Sequence, residues 1–234
     1  APVLTPAALA IHISELVALA DNGHTNVGFY QRAGLLNRVA LRLAWFADGL
    51  FVIRGDPARR DLLGAQVVTI GSLRPTEMLS DLKRFMGGTA GYARTRSTFL
   101  LESPQALAMI YPAFDAQQLH LSLLLADGRQ QMVVVPALPP DPSALISPRD
   151  PLTAMPARLL SPAAGAEVDP HGEPVLTPSV PLPLSLHAHD VSLYQAVLDE
   201  GAGLYLHLWS MRDDKNGSLA AQLGQLLAAQ STPW

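Results

Sequence analysis

The sequence predicts a mixed α+β fold, and three observations carry that reading. A helical pattern with capping chemistry opens the chain, two Asp-Gly pairs stand between apolar strand-like runs, and a strand-like run followed by a leucine-rich helical one closes it. At 234 residues, 49% hydrophobic and 15% charged, the chain is long enough to bury a core without disulfides or metals.

The elements follow in order. Residues 6–20 read as a helix, with Thr5 as its cap and Pro6 in its first turn. Leu9, Ile13, Leu16 and Val17 recur at helical spacing and mark its predicted buried face, and Asp21-Asn22-Gly23 ends it. Val39, Leu41, Leu43 and Trp45 alternate as a half-buried strand over 39–46 would. Asp48-Gly49 then leads into Leu50-Phe51-Val52-Ile53, a hairpin signal. Val67 to Ile70 reads as a strand between Gly64 and Gly71. Pro75 and Thr76 open a helix over 76–86 carrying Met78, Leu79, Leu82, Phe85 and Met86, and Gly87-Gly88 stops it. A short helix is expected around 105–110, after Ser103-Pro104. Residues 118–125 and 130–135 form a second hairpin pattern around Asp127-Gly128.

Composition then shifts. Of the 20 prolines, 13 lie between Pro136 and Pro183, which predicts an extended stretch with few regular elements. Leu145, Ile146, Leu152, Leu159 and Leu160 suit a segment lying against a surface better than a free linker. Leu204 to Trp209 reads as a strand. Residues 218–229 read as a helix with Leu219, Leu223, Leu226 and Leu227 on one face, started by Asn216-Gly217-Ser218. A strand and then a helix resemble the opening of a βαβ unit, which needs a parallel partner strand.

A net charge of −4 and pI near 5.9 provide no broad basic surface for phosphates, which argues against nucleic-acid binding. Apolar runs are interrupted before the roughly 20 residues a membrane span needs. The absence of cysteine removes disulfides, thiolate catalysis and cysteine-ligated zinc. Ala1-Pro2 at the start, without Met, fits a mature exported protein, periplasmic or secreted, or a trimmed chain.

The order of a helix ending in Asp21-Asn22-Gly23-His24-Thr25, a strand pair, and Leu63-Gly64-Ala65-Gln66-Val67-Val68-Thr69-Ile70-Gly71 before a helix resembles the tail-specific (C-terminal-processing) serine peptidase family, in particular its tricorn-like branch. The segment from Gly64 to Gly71 with the helix after it is similar to part of that family's PDZ-like domain. Leu204-Tyr205-Leu206-His207-Leu208-Trp209, Arg212-Asp213 and the helix that follows look like the first strand and helix of its peptidase core. The resemblance covers about residues 5–95 and 190–230. It implies an N-terminal helical segment (1–34), a PDZ-like β-rich domain (35–136), a Pro-rich connection (137–185) and a partial peptidase core (186–234). It also implies that the catalytic serine and its Gly-rich loop lie beyond the helix 218–229. The chain is then expected to be a fragment, or a form lacking the catalytic half, and inactive as it stands.

His24 is the one candidate catalytic residue. A neutral imidazole can take a proton from a serine hydroxyl and return it to a leaving amine, and the resemblance implies a histidine base in such a segment. Asp21 or Thr25 could orient it. The competing reading is a helix C-cap with His24 against the last turn. Ser210 and Ser218 lack a Gly-x-Ser-x-Gly context, and Ser218 suits a helix N-cap better. His187, His189 and Asp190 with His207 have weak metal-site spacing and read better as loop residues. Asp213-Asp214 and Arg59-Arg60-Asp61 read as solvated turns, and Gly87-Gly88 with Gly91 is too sparse for a phosphate loop. No cofactor and no metal are expected.

A PDZ-like unit would take a peptide as an added strand beside the helix 76–86, or would serve packing alone. The expected partner is thus a peptide or protein substrate. The alternative is a non-enzymatic binding module of the same ancestry. Uncovered apolar faces on 204–209 and 218–229 would favour a homo-oligomer.

Overall fold

The computed structural model describes residues 4–27, 34–140, 173–175, 183–187, 191–198, 203–208, 211 and 213–229. Most of the Pro-rich stretch, including Leu145, Ile146, Leu152, Leu159 and Leu160, lies outside the described residues. The chain forms two compact units, 1–177 and 178–234.

The first unit mixes helices with an antiparallel sheet. Its strands are β1 (Arg38–Val39), β2 (Leu41–Phe46), β3 (Gly49–Gly55), β4 (Gln66–Ile70), β5 (Gln118–Leu124) and β6 (Gln130–Leu138), in the order β1-β6-β5-β4-β3-β2. The two ends of that order are β1 and β2, which only Ala40 separates in the chain, so the six-stranded sheet nearly closes on itself. A short β7 (Glu173–Pro174) adds to β3. Among the described residues, four α-helices accompany the sheet: α1 (Pro6–Ala18), α2 (Pro75–Leu82), α3 (Ala90–Leu101) and α4 (Pro104–Ile110). Leu41, Val52, Ile70, Leu82, Leu100 and Leu121 are sealed from solvent in the common core.

Local chemistry explains the turns. Phe46 pairs with Gly49, so the β2–β3 turn is Ala47-Asp48, one residue before the predicted Asp48-Gly49. Between β5 and β6, Leu125 N–H reaches Arg129 O (2.8 Å) and Gly128 N–H reaches Leu125 O (2.9 Å). Gly128 adopts φ +84°, the left-handed position that a three-residue hairpin loop gives to glycine. Asp127 tightens the loop by accepting from the Arg129 amide and guanidinium, which hold its carboxyl below the usual carboxylate range.

Helix α1 starts where capping predicted, with Thr5 Oγ1 accepting from Ala8 N–H, but it ends at Ala18 and buries a different face. Ala7, Ala10, Ile11 and Ser14 face the core, whereas Leu9, Ile13 and Leu16 are 47%, 41% and 68% exposed. The physical reason is close approach. Three of the four inward residues are small, and Ser14 Oγ folds its hydroxyl back onto Ala10 O (2.6 Å). The helix predicted over 76–86 resolves into α2 and a 3-10 turn at Lys83–Phe85, capped by Met86 before Gly87.

Helix α3 was not foreseen from the sequence. Its buried side includes Ser97 and Thr98 beside Phe99, Leu100 and Leu101, so no clean apolar stripe marks it. It lies along β2 through polar contacts. Trp45 Nε1–H donates to Ser97 Oγ (3.0 Å), the Arg94 guanidinium stacks 5.1 Å from the Trp45 ring, and Arg94 also donates to Phe46 O.

At the end of α3 sits Glu102, completely buried. Its carboxylate receives the Arg38 guanidinium, lies 3.9 Å from that of Arg42, and accepts Leu43 N–H at 2.8 Å. Its backbone carbonyl accepts Val39 N–H at 2.9 Å. The β2–β3 register shifts between Arg42 and Leu43, and Leu43 N–H turns to Glu102 at that shift. One residue thus fixes both β1 and β2 to α3. Asn37 extends the seam: Oδ1 accepts Gln105 N–H (2.9 Å) and Nδ2 donates to Ala116 O (2.8 Å).

The second unit holds an antiparallel hairpin, β8 (Leu193–Leu198) and β9 (Gly203–Leu208), and helix α5 (Leu219–Ala229). The sequence reading had β9 and α5 but not β8. The strand before α5 therefore pairs with an antiparallel neighbour, and no parallel βαβ pairing exists among the described residues. Ser218 caps α5 through Ala221 N–H (3.1 Å).

Replacing Glu102 leaves Arg38 and Arg42 buried without their shared carboxylate. Glu102→Ala should lower the stability of the first unit by about 3–5 kcal/mol. Glu102→Gln, which keeps an acceptor for Leu43 N–H, should cost less. Urea denaturation followed at Trp45 reads both, and equal losses for the two variants would contradict the charge argument.

Candidate functional site

His24 lies in the turn after α1, and that turn is fixed from both sides. Within it, Asn22 Oδ1 accepts His24 N–H (2.9 Å), Asn22 O accepts Thr25 N–H (3.0 Å), and Asn26 Nδ2 donates to Gly23 O (2.9 Å). Asp21 enters it at φ +47°, a left-handed conformation that aspartate tolerates better than most residues.

The turn rests on the segment before α3. Gly88 N–H donates to Asp21 Oδ1 at 3.1 Å. A Cβ on Gly87 would lie 2.8 Å from Asn22 N, and one on Gly88 would lie 2.8 Å from Gly23 N. Only glycine permits this approach, and Gly88 also takes φ +99°. Tyr92 of α3 sets its ring beside Gly23 and Gly88 and its hydroxyl 3.4 Å from Asn26 Nδ2. Thr89 caps α3 by accepting Tyr92 N–H (3.2 Å), which sets Tyr92 at this height. Beneath the turn lies a cavity of about 340 Å³ lined by Ala18, Leu19, Asp21, Lys83, Met86 and Gly88 among others.

His24 itself is exposed, and its imidazole makes no hydrogen bond among the described residues. Asp21, expected as a possible orienting group, instead spends an oxygen on Gly88. Thr25 contributes its amide to the turn. The C-cap of α1 is Leu19, five residues before His24.

The remaining sequence candidates have structural roles or lie outside the described residues. Ser210, His189, Asp190, Trp209 and Arg212 lie outside them. His187 Nδ1 is 3.2 Å from Tyr194 Oη, and His207 Nδ1 is 3.1 Å from Tyr205 Oη. With Tyr194 and Tyr205 ring centroids 6.3 Å apart, these four side chains form an aromatic row on the hairpin. No cluster of three metal-ligating side chains exists among the described residues. Arg59 reaches across to Val134 O (3.2 Å).

Two interactions escaped the sequence reading. The Tyr111 phenol, partly buried and donating to Asp81 Oδ2 at 3.1 Å, is pushed well above its ordinary range by burial and then by the Asp81 charge. Helix α3 covers β2, taking Leu43 N–H and Phe46 O through Glu102 and Arg94. Neither has a sequence signal, since both depend on a helix without a clear apolar stripe or on a contact between distant residues.

No helix among the described residues is long and apolar enough to cross a membrane. No protein-family model, no curated protein and no solved structure matches the chain.

Asp213 and Asp214 organise the second unit. Asp213 Oδ1 accepts Leu219 N–H (3.0 Å). Asp214 accepts from Ser192 N–H, from Asn216 N–H (2.8 Å) and from Gln222 Nε2 (3.0 Å), tying the start of β8 to α5. These donors, the Ser192 amide first, hold the Asp214 carboxyl below its ordinary value. A depressed carboxylate stabilises the fold above its unfolded value, about 3.9, and loses that contribution as pH falls through its folded value. Protection of the Ser192 amide should therefore hold from pH 7 to 5 and fade only at lower pH. In Asp214→Asn this acid step should be absent. Hydrogen exchange read by NMR checks both, and an identical acid step in the variant would refute the assignment.

Proposed function

We propose that this chain belongs to a protein of the tail-specific serine peptidase type, acting in peptide-bond hydrolysis, with His24 as general base or orienting residue. The observation that supports it best is an exposed imidazole with no hydrogen-bond partner among the described residues, on a turn held by the Gly88–Asp21 hydrogen bond and by Tyr92. A histidine kept free while its backbone is fixed suits proton transfer to a group brought against it. The nearly closed sheet with α2 between β4 and β5 suits the PDZ-like unit of that reading.

Hydrolysis needs a serine nucleophile and oxyanion donors. No serine among the described residues reaches His24, so in this reading the chain by itself is inactive. The same reading makes the substrate a peptide or protein and the location outside the cytoplasm.

The edge of β6 favours a second reading, a peptide-binding module without catalysis. On its outer side β6 pairs with β1 only at Ala137 and Leu138 among the described residues. Met132 and Val134 are 71% and 44% exposed on β6, and a strand added there would displace Arg59 from Val134 O. An extended peptide can add there as a strand. The edge of β2, by contrast, is taken by α3.

The decisive experiment uses the full-length gene product. A fluorophosphonate probe should label one serine, and His24→Gln should lower kcat/KM on a fluorogenic peptide by about 10²–10⁴-fold. Absence of a labelled serine, or an unchanged rate in His24→Gln, would overturn the peptidase reading. For the second reading, titration with an unstructured peptide library should shift the Met132 and Val134 amide resonances while Leu43 stays in place. Shifts at Leu43 instead would remove β6 as the docking edge.

A further inference from the structure

We propose that Gly88, together with Asp21 and Tyr92, is a positioning residue for His24, so that the segment joining α2 to α3 sets where the imidazole points. The inference deepens the peptidase reading and depends on it for its catalytic meaning; the positioning itself is physical and can be tested without activity.

The argument begins with distance. The backbone of Gly87 and Gly88 approaches Asn22 and Gly23 so closely that a methyl group at either glycine would sit 2.8 Å from a backbone nitrogen of the turn. Backbone cannot yield as the end of a flexible side chain can, so a side chain there must push the turn away. The Gly88 amide adds direction by donating to Asp21 Oδ1, and Asp21 begins the turn in a left-handed conformation (φ +47°). The Tyr92 ring packs beside both Gly23 and Gly88. His24 follows Gly23 directly, and its own N–H is already held by Asn22. The imidazole thus makes no hydrogen bond among the described residues, while the backbone around it is held by the Asn22, Asp21 and Gly23 contacts.

The device also has reach. Gly87 and Gly88 follow the Lys83–Phe85 turn that ends α2 and precede Thr89, the cap of α3. Only Lys83 to Met86 separate the end of α2 from Gly87, so the connection between α2 and the His24 turn is short.

The test uses the chain as it is, with the His24 Cε1–Hε1 resonance assigned by its loss in His24→Gln. Gly88→Ala should shift and broaden that resonance, while the Trp45 indole resonance keeps its position. Gly128→Ala is the control. It imposes the same left-handed strain (φ +84°), but nothing lies within 4 Å of its added methyl, so His24 should not respond. Asp21→Gly, which keeps the left-handed backbone and deletes the acceptor for Gly88 N–H, should shift the same resonance and covers the case in which Gly88→Ala does not fold. An unmoved His24 resonance in folded Gly88→Ala or Asp21→Gly, or an equal shift in Gly128→Ala, would overturn the proposal. Loss of hydrolysis in the full-length protein plays no part in this readout, so failure of positioning and failure of the peptidase reading are separable.

Discussion

The first unit depends on one buried carboxylate. Glu102 neutralises Arg38, lies near Arg42, takes the Leu43 amide and offers its carbonyl to Val39, all inside the protein. Such a group is costly to desolvate, and the two arginines and the Leu43 amide offset that cost, although Arg38 Nε and Arg42 Nε stay buried without a hydrogen-bond partner among the described residues. In exchange it specifies geometry: β1 is directed to β6, β2 is directed to β3, and the divergence between them is set at Ala40. Apolar packing is non-directional and could not choose that branch point. The helix that presents Glu102 is thereby locked, and the rest of the fold is arranged around it.

Helix α3 consequently works as a strut. Its C-terminal end carries Glu102 to the sheet seam, and its N-terminal end carries Tyr92, just after Gly88, to the His24 turn. The Glu102 seam of the sheet and the turn that carries the exposed His24 are joined by a helix of about three turns. A strut of this kind suits a site whose backbone must hold still while a side chain remains available.

Much of the architecture was legible in sequence because it is local. Asp127-Gly128, the Val67–Ile70 run, the Thr5 and Ser218 caps and the leucines of α5 each announce their element within a few residues. What was not legible is what long-range polar contact decides. Helix α3 hides because its inward face mixes Ser97 and Thr98 with apolar residues, and their hydroxyls are satisfied locally or by Trp45. The face of α1 misled because hydrophobicity favoured Leu9, Ile13 and Leu16, whereas close packing chose Ala7, Ala10 and Ser14. At the site, His24 was visible as a residue type. Its anchoring was not, because Gly87-Gly88 signals only a helix stop until the turn it touches is known.

The near-closure of the sheet has a consequence for how the chain reaches its native state. Hairpins β2–β3 and β5–β6 join neighbours in sequence and can form in microseconds. The pairing of Arg38 with Leu138 joins residues at opposite ends of the sheet-forming segment and must await collapse of nearly everything between them. Closure is therefore the late, slow event, and until it happens the strand edge at Ala137 and Leu138 stays open to another copy of the same chain. The ring shuts last, at the place where Glu102 waits to bind it.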